Sequence, residues 1–212
     1  MICVSINAEN YDDCESYLTQ YSFIEFRLDN TKMTDDEIRR LFNASNKLIA
    51  TCRPGKYDDE MRHKILLNAV KSGASYVDIG YDSDIKKMNE LKSVAKKSFC
   101  KLIISYHNYE NTPEKSYLKN IINESLRMGA DIVKIACKPI NESDNINLLS
   151  LYKNYPKGKL ISLGMDNIGR ITRVAATFLG APFTYSSVEK DEETAPGQID
   201  VHSLKKIYEL MR

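Results

Sequence analysis

The chain has 212 residues, 42% hydrophobic and 28% charged, a composition typical of a globular protein with one domain and a substantial core. Its 30 Lys and Arg residues nearly balance 29 Asp and Glu residues and are interspersed with them, so we predict no nucleic-acid partner. No apolar run approaches the roughly 18 residues of a membrane span, and the N-terminus lacks a basic start, so we expect neither a membrane partner nor a signal peptide.

Short β-type runs alternate with longer amphipathic stretches along the whole chain. The runs predict eight strands: Ile2–Asn7, Phe23–Leu28, Leu48–Arg53, Ser75–Gly80, Leu102–His107, Asp131–Ala136, Leu160–Met165 and Pro182–Ser186. Between them, apolar residues at three- and four-residue spacing predict helices such as Asp58–Ser72, Asp84–Lys97 and Pro113–Met128. Three glycines stand just after amphipathic stretches, where helices often end: Gly73, Gly129 and Gly180.

Eight successive strand–helix pairs predict an α/β fold, a (β/α)8 (TIM) barrel that forms a single domain over residues 1–212. A flavodoxin-like or Rossmann sheet is the main alternative. That fold would normally carry a glycine-rich phosphate loop after the first strand, where this chain reads SINAENYDD.

The five cysteines are odd in number, widely spaced and without a CxxC pair, which disfavours a disulfide framework or a zinc site. His63 and His202 fall in charge-rich predicted helices, so we expect both on the surface. The sequence contains no HxxH or HExxH motif, P-loop or GxSxG motif. We therefore predict reduced thiols in a cytoplasmic protein, with neither a metal nor an organic cofactor.

Several predicted strands carry charged residues, although parallel strands covered on both faces should be apolar. Because side chains alternate across a strand, Glu25 and Arg27 share one face, and Arg53, His107 and Lys134 take the equivalent face of their own strands. The apolar neighbours belong against the helices. The charged residues therefore point into the barrel near the carboxyl ends of the strands, where barrel enzymes hold their active sites.

Lys134 is the strongest single indication of chemistry. A lysine inside the apolar strand VKIA is almost never buried without cause, and desolvation favours the neutral amine that attacks carbonyls. The inward His107 of the preceding strand is a suitable acid–base partner.

Structural explanations stay open for the neighbouring polar residues. A histidine at a strand end can be a satisfied core residue, and Glu25 with Arg27 can be a structural ion pair. Asp78 is better explained as a buried structural partner than as a catalyst.

Six segments, in this order, resemble type I 3-dehydroquinate dehydratase over nearly the whole chain. They are EFRLD (Glu25–Asp29), TCRP (Thr51–Pro54), ISYHNY (Ile104–Tyr109), VKIA (Val133–Ala136), GMDNIGRITR (Gly164–Arg173) and TAPGQI (Thr194–Ile199). Each segment alone is a weak signal, but six in order at suitable barrel positions form a specific signature. The resemblance implies a (β/α)8 barrel of the shikimate pathway that acts on the small molecule 3-dehydroquinate, uses no metal and forms a homodimer.

The resemblance also implies roles for individual residues. Lys134 matches the Schiff-base lysine, His107 the general acid–base and Arg173 the arginine that holds the substrate carboxylate, which suits a planar guanidinium. Three residues match those that engage substrate hydroxyls and organise the polar pocket: Glu25, Arg27 and Arg53. Thr194 and Gln198 lie in the segment that resembles the loop closing over substrate.

One departure concerns support for the histidine. The family often has a glutamate four residues after the arginine matched by Arg53, and this chain has Tyr57 there. Either Tyr57 or Asp58 assists His107, or the histidine is oriented by another group.

Three further departures are milder. Thr172 and Thr194 stand where serine is common, and each retains a hydroxyl. Asp166 occupies a usual glycine position, which predicts a slightly different turn after the seventh strand.

These residues suit elimination beta to a ketone through a lysine imine, with His107 moving the protons. A class I aldolase acting on a sugar phosphate is the nearest alternative, although the segments GMDNIGR and EETAPGQ have few glycines and adjacent carboxylates, which disfavours phosphate. A catalytically silent barrel that binds a metabolite or partner is a third possibility, disfavoured by the presence of both Lys134 and His107.

Overall fold

The structure is a computed structural model that describes residues 1–211. Within them, eight strands alternate with eight α-helices. The strands are β1 (Ile2–Asn7), β2 (Phe23–Arg27), β3 (Lys47–Thr51), β4 (Tyr76–Gly80), β5 (Lys101–Asn108), β6 (Ile132–Cys137), β7 (Leu160–Gly164) and β8 (Thr184–Ser186). The helices are α1 (Tyr11–Gln20), α2 (Asp35–Phe42), α3 (Asp59–Lys71), α4 (Ile85–Lys97), α5 (Lys115–Met128), α6 (Glu142–Ser150), α7 (Asp166–Leu179) and α8 (Val201–Leu210).

The strands form one parallel sheet in the order β7-β6-β5-β4-β3-β2-β1-β8. Consecutive strands are neighbours, and β8 returns beside β1, where Cys3 is paired with Tyr185. With a helix after every strand, this is the topology of a (β/α)8 barrel, and the predicted fold class is confirmed.

The chain divides into two compact units, each with its own core. The N-terminal unit runs from Ser5 to Ile103, and its packing includes an edge-to-face contact between Phe26 and Phe42. The C-terminal unit joins Met1–Val4 to the residues from Ile104 onward, and its core includes an edge-to-face contact between Phe183 and Tyr185.

The strand bounds agree with the sequence-based ones to within two residues, and the differences have local reasons. β8 begins at Thr184 rather than at Pro182, since proline has no N–H to donate to a sheet ladder. β3 ends at Thr51, and the backbone N–H of Arg53 donates to Asp29 Oδ1 (2.6 Å) instead of to a neighbouring strand.

Short-range signals fix the helix ends. Thr34 and Glu37 form a capping box at the start of α2, and Asp58 and Asp84 accept backbone N–H groups at the starts of α3 and α4. Gly129 ends α5 in the left-handed conformation, as predicted, because a side chain there would be strained.

One surface prediction is wrong. His63 is buried, with 9% of its surface exposed, because its side of α3 packs against α4, where Glu90 Oε2 lies 2.9 Å from His63 Nε2. His202 is exposed on α8, as predicted.

The five cysteine side chains are buried and unbridged. Burial raises the pKa of the Cys14, Cys52 and Cys137 thiols to about 12.

No helix in residues 1–211 has the length and apolar character needed to cross a membrane.

Candidate active site

Glu25 is held inside the N-terminal unit by two hydroxyl groups. It is 2% exposed, and Thr51 Oγ1 on β3 donates to its Oε1 at 2.8 Å. Ser5 Oγ donates to the other carboxylate oxygen. These contacts place the Glu25 side chain on the inner face of β2, as the alternation of the strand predicts.

Asp29 links two of the arginines predicted for the site. Its Oδ2 lies 2.5 Å from Nη2 of Arg27, and its Oδ1 accepts the backbone N–H of Arg53. Burial disfavours the charged form of Arg27, but Glu25 and Asp29 outweigh it and raise the pKa of the guanidinium. Arg27 is therefore stabilised as a cation by the charge of Glu25 and by an ion pair with Asp29.

Arg53 also pairs with Asp78 in the middle of β4. Nη2 of Arg53 lies 2.7 Å from Oδ1 of Asp78, whose side chain is fully buried. Asp78 is buried and paired, as predicted, and its purely structural role stays a prediction. The N-terminal unit thus brings Glu25, Arg27 and Arg53 into one network of carboxylates and guanidiniums.

The two candidates for supporting His107 are engaged within the N-terminal unit. The hydroxyl of Tyr57 donates to the carbonyl oxygen of Thr31. The carboxylate of Asp58 accepts the N–H of Met61 at 2.8 Å and caps α3.

Lys134 lies in the middle of β6, a strand buried along its whole length. The side chain is 8% exposed, and its Nζ lies 4.1 Å from the centre of the Tyr185 ring on β8. Val133 and Ile135, its neighbours in the strand, are completely buried. The amine is thus buried against an aromatic face.

His107 lies near the carboxyl end of β5 and is partly exposed. Its ring stacks on that of Tyr109, with the centres 6.1 Å apart. The backbone N–H of Lys138 donates to the carbonyl oxygen of Asn108 at 2.9 Å, so the carboxyl ends of β5 and β6 run side by side. His107 therefore stands nearer the carboxyl edge of the sheet than Lys134.

Arg173 lies on α7 and is 3% exposed. Nη2 donates to the carbonyl oxygen of Pro196 at 3.1 Å, while Nε has no hydrogen-bond partner among residues 1–211. Burial lowers the pKa of this guanidinium well below its ordinary value, to about 10, although Glu193 acts in the opposite direction. A buried cation with an unused donor is suited to bind an anion.

The segment from Thr194 to Gln198 forms a turn that is built around the Gln198 side chain. Gln198 is 3% exposed, and its Oε1 accepts the backbone N–H of Thr194 at 2.8 Å and that of Ala195 at 3.3 Å. The Thr194 hydroxyl also donates to it at 3.2 Å. The structure therefore brings Thr194 and Gln198 together with Arg173, through the Pro196 carbonyl that Arg173 contacts.

Two of the departures from the family pattern have structural explanations. Asp166 adopts a left-handed conformation, with φ at 56°, where glycine is the usual residue. The Thr172 hydroxyl accepts the N–H of Gly164 at 2.7 Å and donates to the carbonyl of Gly169 at 2.6 Å, so it ties α7 to β7.

Sequence reasoning assigned no role to several residues that hold these groups in place. Asp29 carried a usable signal, because it follows Glu25 and Arg27 at two-residue spacing on the same face. Ser5 and the Arg170–Glu193 pair gave no local signal, since Ser5 contacts Glu25 and Arg170 contacts Glu193 across 20 and 23 positions of the chain. In residues 1–211, no three His, Cys, Asp or Glu side chains are grouped in a way that could hold a metal ion.

Comparison with known proteins gives consistent results over the whole chain. The family described as Type I 3-dehydroquinase matches residues 2–212. The 3-dehydroquinate dehydratase of Methanocaldococcus jannaschii is 33% identical over 226 aligned positions, which cover 100% of this chain and 99% of that protein.

Solved structures agree with the fold. A type I 3-dehydroquinate dehydratase from Clostridium difficile, with covalently modified comenic acid, superimposes with a TM-score of 0.86 at 24% identity, covering 99% of this chain and 91% of that one. The 3-dehydroquinate dehydratase from Aquifex aeolicus gives a TM-score of 0.83 at 27% identity, covering 99% of this chain and 98% of that one.

Proposed function

The chain belongs to the type I 3-dehydroquinase family, and from that premise we propose that it is a hydro-lyase that converts 3-dehydroquinate to 3-dehydroshikimate and water. The observation that carries the proposal within this chain is Lys134, an amine 8% exposed on an otherwise apolar strand. The neutral amine of a lysine is the nucleophile that attacks a ketone carbon.

The reaction begins with a covalent bond between Lys134 and the substrate. The amine adds to the ketone carbon, and the carbinolamine loses water to give an iminium ion. The positive nitrogen draws electrons from the neighbouring carbon, whose proton His107 removes to leave an enamine. His107 is suited to this transfer because the ordinary pKa of imidazole is close to neutral.

The elimination and release follow from the same two groups. The enamine electrons expel the hydroxyl group beta to the former ketone, and His107 returns a proton to it so that it leaves as water. A second water hydrolyses the conjugated iminium, which frees 3-dehydroshikimate and restores the Lys134 amine. The water consumed in this hydrolysis balances the water released when the imine formed. The net change is therefore the loss of the one water that comes from the substrate hydroxyl.

Arg173 is assigned the substrate carboxylate. Its unused Nε–H and its burial support this role, because a guanidinium excluded from water binds a carboxylate strongly. Thr194 and Gln198 belong to the turn beside it and are assigned contacts that close over the bound substrate.

The substrate hydroxyls are assigned to the network of the N-terminal unit, formed by Glu25, Arg27 and Arg53. A carboxylate accepts hydroxyl protons and a guanidinium donates to hydroxyl oxygens, so the network can satisfy a polyol. We further propose that the enzyme works in the cytoplasm as a homodimer of the shikimate pathway, which the family resemblance supports.

The experiment mixes purified protein with 3-dehydroquinate and follows the ultraviolet absorbance of the conjugated enone. Lys134→Ala is the test variant, and Lys138→Ala, an exposed lysine one residue past the end of β6, is the matched control. We expect rapid growth of the absorbance in the wild type and in Lys138→Ala, and essentially none in Lys134→Ala. Borohydride added with substrate should give a mass adduct on Lys134.

Each result bears on a different part of the proposal. No growth of the enone absorbance with folded wild-type protein would contradict the dehydratase assignment. Turnover with a borohydride adduct in Lys134→Ala would leave the reaction in place and remove Lys134 as the imine-forming residue.

A further inference from the structure

One carboxylate of the C-terminal unit joins the turn beside Arg173 to helix α7. Glu193 Oε1 lies 3.1 Å from Nη2 of Arg170, and Oε2 accepts the backbone N–H of Gly197 at 2.9 Å. Both oxygens of a single side chain are thus used, one on the helix and one on the turn. The Glu193 side chain is 26% exposed, so water screens this pair only partly.

The turn fits tightly against the start of α7. The Pro196 carbonyl accepts N–H groups from Asp166 at 3.2 Å and from Arg173 at 3.1 Å. A Cβ added to Gly197, which has φ at 78°, would lie 2.3 Å from the carbonyl oxygen of Asp166. No side chain larger than hydrogen fits at position 197, so the backbone of the turn packs directly on the backbone at the start of α7.

Glu193 can therefore hold the turn against α7 in the absence of ligand. We propose that Glu193 is a positioning residue that ties the turn to α7 through Arg170 and Gly197, so that the Pro196 carbonyl holds the Arg173 guanidinium in one orientation. With Nη2 fixed by that carbonyl, the unpartnered Nε–H keeps a constant direction for an incoming carboxylate. The inference rests on the proposed function, in which Arg173 binds the substrate carboxylate.

Arg170 and Arg173 stand one helical turn apart, and this spacing explains why the anchor is a carboxylate. Two guanidiniums at this distance repel each other, and Arg170 disfavours the charged form of Arg173. Glu193 neutralises Arg170 and leaves Arg173 as the cation available to a substrate anion. Arg173 is the more buried of the two, so it gains more from an incoming anion.

The test compares Glu193→Ala and Glu193→Gln with Glu192→Ala. Glu192 is the adjacent residue, carries the same charge and is exposed, so its removal controls for loss of one negative charge from the loop. The first measurement is amide hydrogen exchange of the segment that contains Gly197, in protein without substrate. We expect exchange there to be roughly tenfold faster in Glu193→Ala, intermediate in Glu193→Gln, which keeps an acceptor oxygen, and unchanged in Glu192→Ala.

The second measurement is steady-state kinetics with 3-dehydroquinate. Loss of a group that only orients Arg173 should raise KM by roughly tenfold in Glu193→Ala and change kcat by less than about threefold. In an Arg170→Gln background the effect of Glu193→Gln on KM should shrink, because the two substitutions remove the same ion pair.

The outcomes separate the two proposals. Unchanged exchange in Glu193→Ala overturns the tether, whatever the activity. Faster exchange with an unchanged KM overturns the positioning role and leaves the dehydratase assignment intact. Absence of turnover in the wild type overturns the proposed function, and the exchange measurement then decides the tether alone.

Discussion

The buried ion pair between Arg53 and Asp78 gives a stability prediction with a defined size. Asp78→Asn removes one partner from a pair at 2.7 Å in which the carboxylate side chain is 0% exposed and the guanidinium 14% exposed. Breaking such a pair from one side costs about 3–5 kcal/mol, and the slight exposure of Arg53 favours the lower end. For a chain of this size, about 3 kcal/mol corresponds to a melting temperature lower by about 6–12 °C.

The assay is thermal unfolding followed by far-ultraviolet circular dichroism, with Glu9→Gln as the matched control. Glu9 pairs with Lys32 at 3.0 Å, but the two side chains are 50% and 63% exposed, so the control should lose less than about 1 kcal/mol. Adding Arg53→Met to Asp78→Asn should recover part of the loss, because the buried cation is then gone as well. Equal melting temperatures for Asp78→Asn and the Glu9 control would refute the reasoning.

Arg173, Phe99 and the buried thiols provide three further predictions. Arg173→Gln should raise KM for 3-dehydroquinate by at least about tenfold, with a smaller change in kcat. In the wild type, KM should rise as the pH passes about 10. Burial lowers the pKa of Arg173 to about 10, and only its charged form attracts the carboxylate. A KM that stays constant through that pH would contradict the assignment. Phe99 is 94% exposed and has φ at 56°, so Phe99→Gly should increase the free energy of unfolding by about 0.5–1 kcal/mol, measured by urea titration; a decrease would count against strain at this position. Three buried thiols should be alkylated far more slowly in folded protein than in urea-unfolded protein near neutral pH, as measured by mass spectrometry, because burial raises their pKa to about 12. Equal rates would show that they are accessible. These are Cys14, Cys52 and Cys137.

The resemblance to the family predicted roles for individual residues, and the structure shows where each of these residues lies. Lys134 was predicted to be buried because a charged side chain interrupted an apolar strand, and it is 8% exposed. Its role in an imine, like the acid–base role of His107, stays a prediction until adducts and turnover are measured. The glutamate usual in the family is absent at Tyr57, whose hydroxyl donates to the Thr31 carbonyl.

The order of strands and helices, and the face on which each strand carries its polar groups, were determined by the sequence itself. Both follow from local rules: side chains alternate every second residue in a strand, apolar residues recur every three or four in a helix, and capping residues such as Thr34 and Gly129 mark helix ends. These signals need only neighbours a few positions away, so they can be read without a structure.

Only the tertiary structure decided which partner each polar side chain takes. The burial of His63 depends on α4, and the ion pair between Arg27 and Asp29 forms where the chain continues beyond the end of β2. The contact of Glu193 with Arg170 joins residues 23 positions apart in the chain. Such pairs form because a charged group removed from water needs a partner of opposite charge. Which partner is near enough depends on the tertiary fold, and the spacing of residues along the chain does not predict it.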